Sequence, residues 1–198
     1  MADLDQSLVT ESHPVATIHD GTIAAASDIP PFSDPRLHQA YAYWRRKAAG
    51  RPMPRRRDID PVEIPKLLPA VMLVDVEPGG RYRYRLIGTE NSQAQGIKAT
   101  GRYLDEVLPG EEYRNHVLGL YDESVRNCQA LYSECLFLSP ERLAPERHTK
   151  VLFMPLSENG DTVNMVFVLQ IFLYIEQGTR ERHFLDSPPY REIVHILL

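Results

Sequence analysis

The residues of this chain whose types could do chemistry include two cysteines, pairs of adjacent acids and one histidine beside an apolar stripe. Cys128 and Cys135 are each a potential nucleophile. Cys128 falls on an apolar helical stripe and Cys135 inside a strand pattern, however, and in both places a buried structural thiol is the expectation. Glu111-Glu112 and Asp122-Glu123 could supply an acid and a base, but at helix positions such pairs are normally solvated and specify no catalysis. His116 sits one turn after Tyr113 and one turn before Leu120, where its ring either reaches the interior or borders solvent. Neither the cysteines nor the other histidines have the spacing of a structural metal site. The Gly-x-Ser-x-Gly elbow, the phosphate-cradling glycine loops and the His-Glu-x-x-His helix are absent, so an enzyme is not expected. What remains is suited to binding: Thr89, Asn91 and Gln95 follow Tyr84 closely, and serve either as polar anchors at the mouth of a pocket or as caps and turn partners.

Apolar periodicity supplies the elements that would position these groups. Ser33 or Asp34 can cap a helix with Pro35 in its first turn, and Leu37, Ala40, Tyr41, Trp44 and Ala48 then recur at helical spacing until Gly50. This single stripe must pack on the sheet or on a second subunit, while Arg45, Arg46 and Lys47 form a solvated face. The run Val71 to Val76, the turn Glu77-Pro78-Gly79-Gly80 and the alternation of Tyr82, Tyr84 and Leu86 with arginines predict a hairpin. Short helices and turns fill residues 90–108, and a longer helix is expected from Glu111 to Asn127. Three strands, Leu131 to Leu138, Lys150 to Leu156 and Thr162 to Tyr174, close the domain in antiparallel order, the last of them central because it is apolar on both faces.

With 198 residues the chain suits one domain plus extensions: a mobile leader over 1–33, a domain over 34–176 and a tail over 177–198 whose apolar end covers the sheet or a second subunit. A net charge of -5 opposes non-specific binding to nucleic acid or an anionic membrane surface. Two cysteines fit a reducing compartment, and neither a basic signal segment nor an apolar run long enough to span a bilayer occurs, so a soluble cytoplasmic protein is expected.

The order strand, strand, short helices, longer helix and three strands, together with Tyr43-Trp44, Arg57-Asp58-Ile59-Asp60-Pro61, Leu68-Pro69, Tyr84-Arg85-Leu86-Ile87-Gly88-Thr89 and Thr100-Gly101-Arg102, resembles the PAS domain family, in particular a bacterial subgroup of stand-alone domains. The resemblance covers about residues 34–175. It implies an α+β fold, a five-stranded antiparallel sheet with helices on one face, to which the N-terminal amphipathic helix is an addition. It also implies a non-enzymatic sensor and interaction module that regulates a signalling protein partner, frequently as a homodimer. Two versions stay open, a sensor with a small-molecule ligand between sheet and helices, and an interaction scaffold with a fully packed core. In the first, the fold and strand alternation give walls from Tyr84, Leu86, Phe153 and Phe167, with Thr89, Asn91 and Gln95 at the mouth. The sequence names no cofactor. Flavin-photochemical relatives carry a reactive cysteine where this chain has Asn91-Ser92-Gln93, so adduct chemistry lacks its thiol. Haem-binding relatives ligate iron from a Tyr-Arg-x-x-His segment, and Tyr113-Arg114-Asn115-His116 is one residue short of it.

Overall fold

A computed structural model of the chain describes residues 34–96, 98–138, 145–174 and 190–198. The expected leader and the start of the tail, residues 177–189, lie outside the described residues. Helix α1 (Pro35–Ala48) starts where Asp34 accepts a hydrogen bond from the Arg36 amide at 2.9 Å, and it ends in a left-handed pair, Ala49 at φ 50° and Gly50 at φ 84°. Strands β1 (Val71–Glu77) and β2 (Arg81–Ile87) form the expected hairpin. Three helices follow, α2 (Thr89–Gln95), α3 (Leu104–Val107) and α4 (Glu111–Asn127). The chain closes with β3 (Leu131–Leu138), β4 (Pro145–Leu156), β5 (Met165–Tyr174) and β6 (Tyr190–Leu197). Among the described residues the strands make one antiparallel sheet in the order β2-β1-β5-β4-β3-β6.

The five expected strands are thus present, and the end of the tail adds a sixth on the free edge of β3. Its apolar residues extend the sheet instead of lying across it. Both sheet faces are covered. The inner face, carrying Met72, Tyr84, Ser133, Cys135, Val151, Phe153 and Gln170, looks toward α4. On the outer side, Trp44 of α1 is 3 % exposed and donates from Nε1 to the Pro155 carbonyl at 2.9 Å. Lys150, whose side chain alternates to that side, lies near enough to Asp34 to help lower its pKa, after the larger effect of the Arg36 hydrogen bonds. The predicted stripe of α1 therefore packs on the sheet of its own chain.

The segments that carry the family resemblance brace this frame. Tyr43 Oη accepts from the Asp60 amide at 2.8 Å, Asp58 pairs with Arg51 at 2.6 Å and accepts from the Arg55 amide at 2.9 Å, and Asp60 caps the Pro61 turn through the Val62 amide. Gly88, where the chain leaves β2, has an ordinary φ of -64°, so no backbone strain calls for a glycine there. Its lack of a side chain matters for another reason: a Cβ there would sit 2.4 Å from the carbonyl oxygens of Leu68 and Pro69. Gly101, at φ 85°, makes a tight turn, and its amide and the Arg102 carbonyl pair with the backbone of Tyr84 at 2.6 and 3.0 Å. That clamp fixes β2 at Tyr84, whose side chain is buried on the sheet's inner face.

Candidate functional site

Between the inner face and α4 lies a cavity of about 40 Å³. Its walls are Met72 and Tyr84 from the first hairpin, Gln95 from α2, Leu108, Tyr113, His116, Val117, Leu120 and Tyr121 from α4 and its approach, and Ser133, Cys135, Thr149, Val151, Phe153 and Gln170 from β3 to β5. Alternation on three adjacent strands puts Ser133, Val151 and Gln170 in one cross-strand row, and the helical stripe of α4 lays Tyr113, Val117, Leu120 and Tyr121 opposite. One end is aromatic, with the Tyr121 ring edge-on to Phe153 at 4.9 Å and tilted against Tyr82 at 5.0 Å. The other end is polar.

Of the residues expected at the site, the structure puts Tyr84, Gln95 and Phe153 in the wall. It excludes Leu86, which is 42 % exposed on the opposite face. The cause is a β-bulge. Val74 pairs with Tyr84 but Leu73 pairs with Leu86, so Arg85 is an extra residue that reverses the alternation after Tyr84. Phe167 is fully buried, yet it pairs with Leu73 and Met154 on the outer side; its neighbours Val168 and Gln170 are the inward residues of β5. Thr89 opens α2 in an exposed position. Asn91 is buried behind the wall, donating from Nδ2 to the Ala70 carbonyl at 2.8 Å as a structural brace. Gln170, Thr149, Ser133 and the α4 tyrosines were missed. For Gln170 a signal existed, a single amide inside the apolar run of β5.

The electrostatics of the wall are those of neutral polar groups. Burial raises the hydroxyl pKa of Tyr84, opposed by a hydrogen bond from Gln95, and burial likewise holds Tyr113 and Tyr121 well above the usual phenol range. Cys135 is pushed up to about 12 by burial, which leaves it an inert thiol. His116 is lowered, first by desolvation, with Glu192 pulling it up and His195 pushing it down. Its Nε2 lies 3.5 Å from Cys135 Sγ and 3.8 Å from Glu192 Oε1. Gln95 is 3 % exposed; its Nε2 meets Met72 Sδ at 3.9 Å and its Oε1 has no donor. A buried acceptor left unpaired is costly in a native fold.

These residues do not fit haem. The ring nitrogen of His116 is turned toward Cys135 and Glu192, and a volume of about 40 Å³, near that of one or two waters, admits no porphyrin. A larger cleft of about 250 Å³ runs between Arg51 to Arg55 and Ser157 to Asp161. Arg51 there pairs with Asp58 and Ser157 Oγ bonds the Thr162 carbonyl and Asn159, and none of the lining residues has a buried side-chain polar atom without a partner, so the cleft presents no comparable deficit. Among the described residues no cluster of three or more potential ligands could hold a metal, and no helix is long and apolar enough to cross a membrane.

A family model described as a PAS domain matches residues 33–170, more than half of the chain. No curated protein and no solved structure matches the chain. The matched range runs from the cap of α1 through Gln170, and so takes in every wall residue of the cavity. The chain belongs to the PAS domain family, whose members are signalling sensor and interaction modules.

Proposed function

We propose that the chain is a non-enzymatic, cytoplasmic sensor that holds a small neutral molecule in the inner cavity and passes its occupancy to a signalling protein partner, acting as a homodimer. The observation that carries this reading is the unpaired, buried Oε1 of Gln95, a residue of a wall that also offers the Gln170 amide and the rings of Tyr84, Tyr121 and Phe153. A ligand with one N–H or O–H donor and a flat apolar body satisfies both ends. PAS domains are generally sensors without catalysis, and a wall of raised tyrosines, an inert thiol and a lowered histidine supports binding over reaction. The net charge of -5 and the free cysteines support the cytoplasmic reading, and the family's habit supports the dimer and the partner.

The small volume favours a second reading, a scaffold whose packed core takes no ligand. Thermal unfolding of the whole protein across a panel of metabolites separates the two. A compound at about 100 times its dissociation constant adds about 2.7 kcal/mol to a native-state binder. Sensing requires that this shift vanish in Val117→Phe, which fills the cavity, and survive in Leu86→Trp, which changes the far face. No shift with any compound leaves the scaffold.

A further inference from the structure

The sixth strand is tied to the domain through a cluster of ionisable side chains. Along β6 the pairing with β3 slips between Glu134 and Cys135, so Ile193 is an extra residue at a bulge. Glu192 and His195, three residues apart, therefore both turn to the inner face, opposite Cys135 and Ser133. There His195 Nε2 meets Glu123 Oε2 of α4 at 2.8 Å and His195 Nδ1 meets Glu192 Oε1 at 3.4 Å. Glu192 Oε1 also accepts from Ser133 Oγ at 3.1 Å and faces His116 Nε2 of α4 at 3.8 Å. The ring of Tyr190 completes the tie, 5.1 Å from both His116 and Tyr113.

We propose that β6 is a strap whose hold on the domain is set by protons on two histidines, His195 tightening it when protonated and His116 loosening it. The groups that face His195 are Glu123 and His116 from α4, Glu192 from its own strand and neutral Ser133 from β3. With both ring nitrogens protonated, His195 donates to two carboxylates on two elements at once. When it loses a proton it keeps one donor, and Glu123 and Glu192 are left competing for it. The groups that face His116 are Glu192 of β6, His195 of β6 and the Cys135 thiol of β3, with the rings of Tyr113 and Tyr190 closing over it. A proton on His116 is desolvated and stands beside a second cation, and freeing β6 rehydrates it.

The two titrations act on opposite sides of the ordinary histidine value of 6.5. Hydrogen bonding to Glu192 is the largest effect raising His195, so its contribution is full below the unfolded value of 6.5 and is lost as pH climbs through the raised folded value. His116 is lowered by burial first, so its penalty begins as pH falls below 6.5 and grows down to the lowered folded value. The strap holds best between the two. Because His116 also lines the cavity, the strap and the inner site share one side chain.

Amide hydrogen exchange of the full chain, corrected for the intrinsic pH dependence of exchange and read against the amides of β5, tests this. Protection of the amides of residues 190–197 should fall at least about twofold relative to β5 on raising pH above the histidine range, and again on lowering it below. His195→Gln should abolish the alkaline loss and His116→Gln the acid loss. Glu123→Gln provides the same alkaline test through the other partner, should His195→Gln fail to keep β5 protected. Ring titration by NMR should place His195 above and His116 below 6.5. A β6 that tracks β5 at every pH, or ordinary titration of either ring, overturns the proposal.

Discussion

Gln95 and Glu134 show how single side chains carry opposite kinds of cost. Replacing the amide that carries the unpaired Oε1 together with its hydroxyl neighbour, as Gln95→Leu with Tyr84→Phe, removes a buried acceptor without orphaning the Tyr84 oxygen. The double variant is expected to be more stable than the parent by about 1–2 kcal/mol in urea unfolding, and to lose any ligand shift. A loss of stability would mean that the Gln95 oxygen has a partner in solution. Glu134, on the outer face, is instead fully served. Burial alone would raise it, but hydrogen bonds with His148 and Tyr132 and the charge of Lys150 draw it down to about 2. Its stabilising contribution is present above its ordinary value of 4.5 and is lost as pH falls from there toward about 2. Glu134→Gln should flatten that part of the acid limb in a stability titration, and an unchanged slope would show that the network adds nothing.

Elements were legible wherever one periodicity ran unbroken. The cap at Asp34 and the stripe of α1, the hairpin turn at Gly79-Gly80 and the span of α4 follow from local patterns that the tertiary structure leaves alone. Inward residues were legible only as far as the first bulge. Tyr84 precedes the extra Arg85 and faces the cavity, whereas Leu86 follows it and faces away. Phe167 failed for a different reason: in a strand apolar on both faces, alternation alone does not say which set is inward, and the lone Gln170 was the only mark. The sixth strand was hidden because its pairing partner is distant in sequence and its bulge at Ile193 blurs the period. Two substitutions test the frame itself. Trp44→Ala should cost about 3–5 kcal/mol, since α1 then loses both its main buried side chain and the bond to Pro155. Gly88→Ala should cost several kcal/mol despite its ordinary backbone angles, because two carbonyls occupy the methyl's place. If that variant unfolded at the parent's urea midpoint, the close approach of residues 68–69 to β2 would be refuted.

For the whole molecule the decisive quantity is a cavity of about 40 Å³ in a protein whose family senses through ligands and partners. A metabolite of ordinary size needs several times that space, so binding must draw on a state in which wall side chains have moved, and the apparent affinity is reduced by the fraction of molecules in that state. Leu120, 5 % exposed on α4 and part of the wall, is the side chain whose removal should mimic the open state. Leu120→Ala is expected to destabilise the protein by about 2–5 kcal/mol through the lost contacts and the enlarged hole. Indole should then stabilise the variant and leave the parent unchanged, because only the variant has room for it. Equal stabilisation of both would mean that the parent already opens at little cost, which favours a sensor with ready access. Stabilisation of neither would mean that the surrounding tyrosines collapse into the space, the behaviour of a core built to stay packed, and the scaffold would then be the better account of the fold.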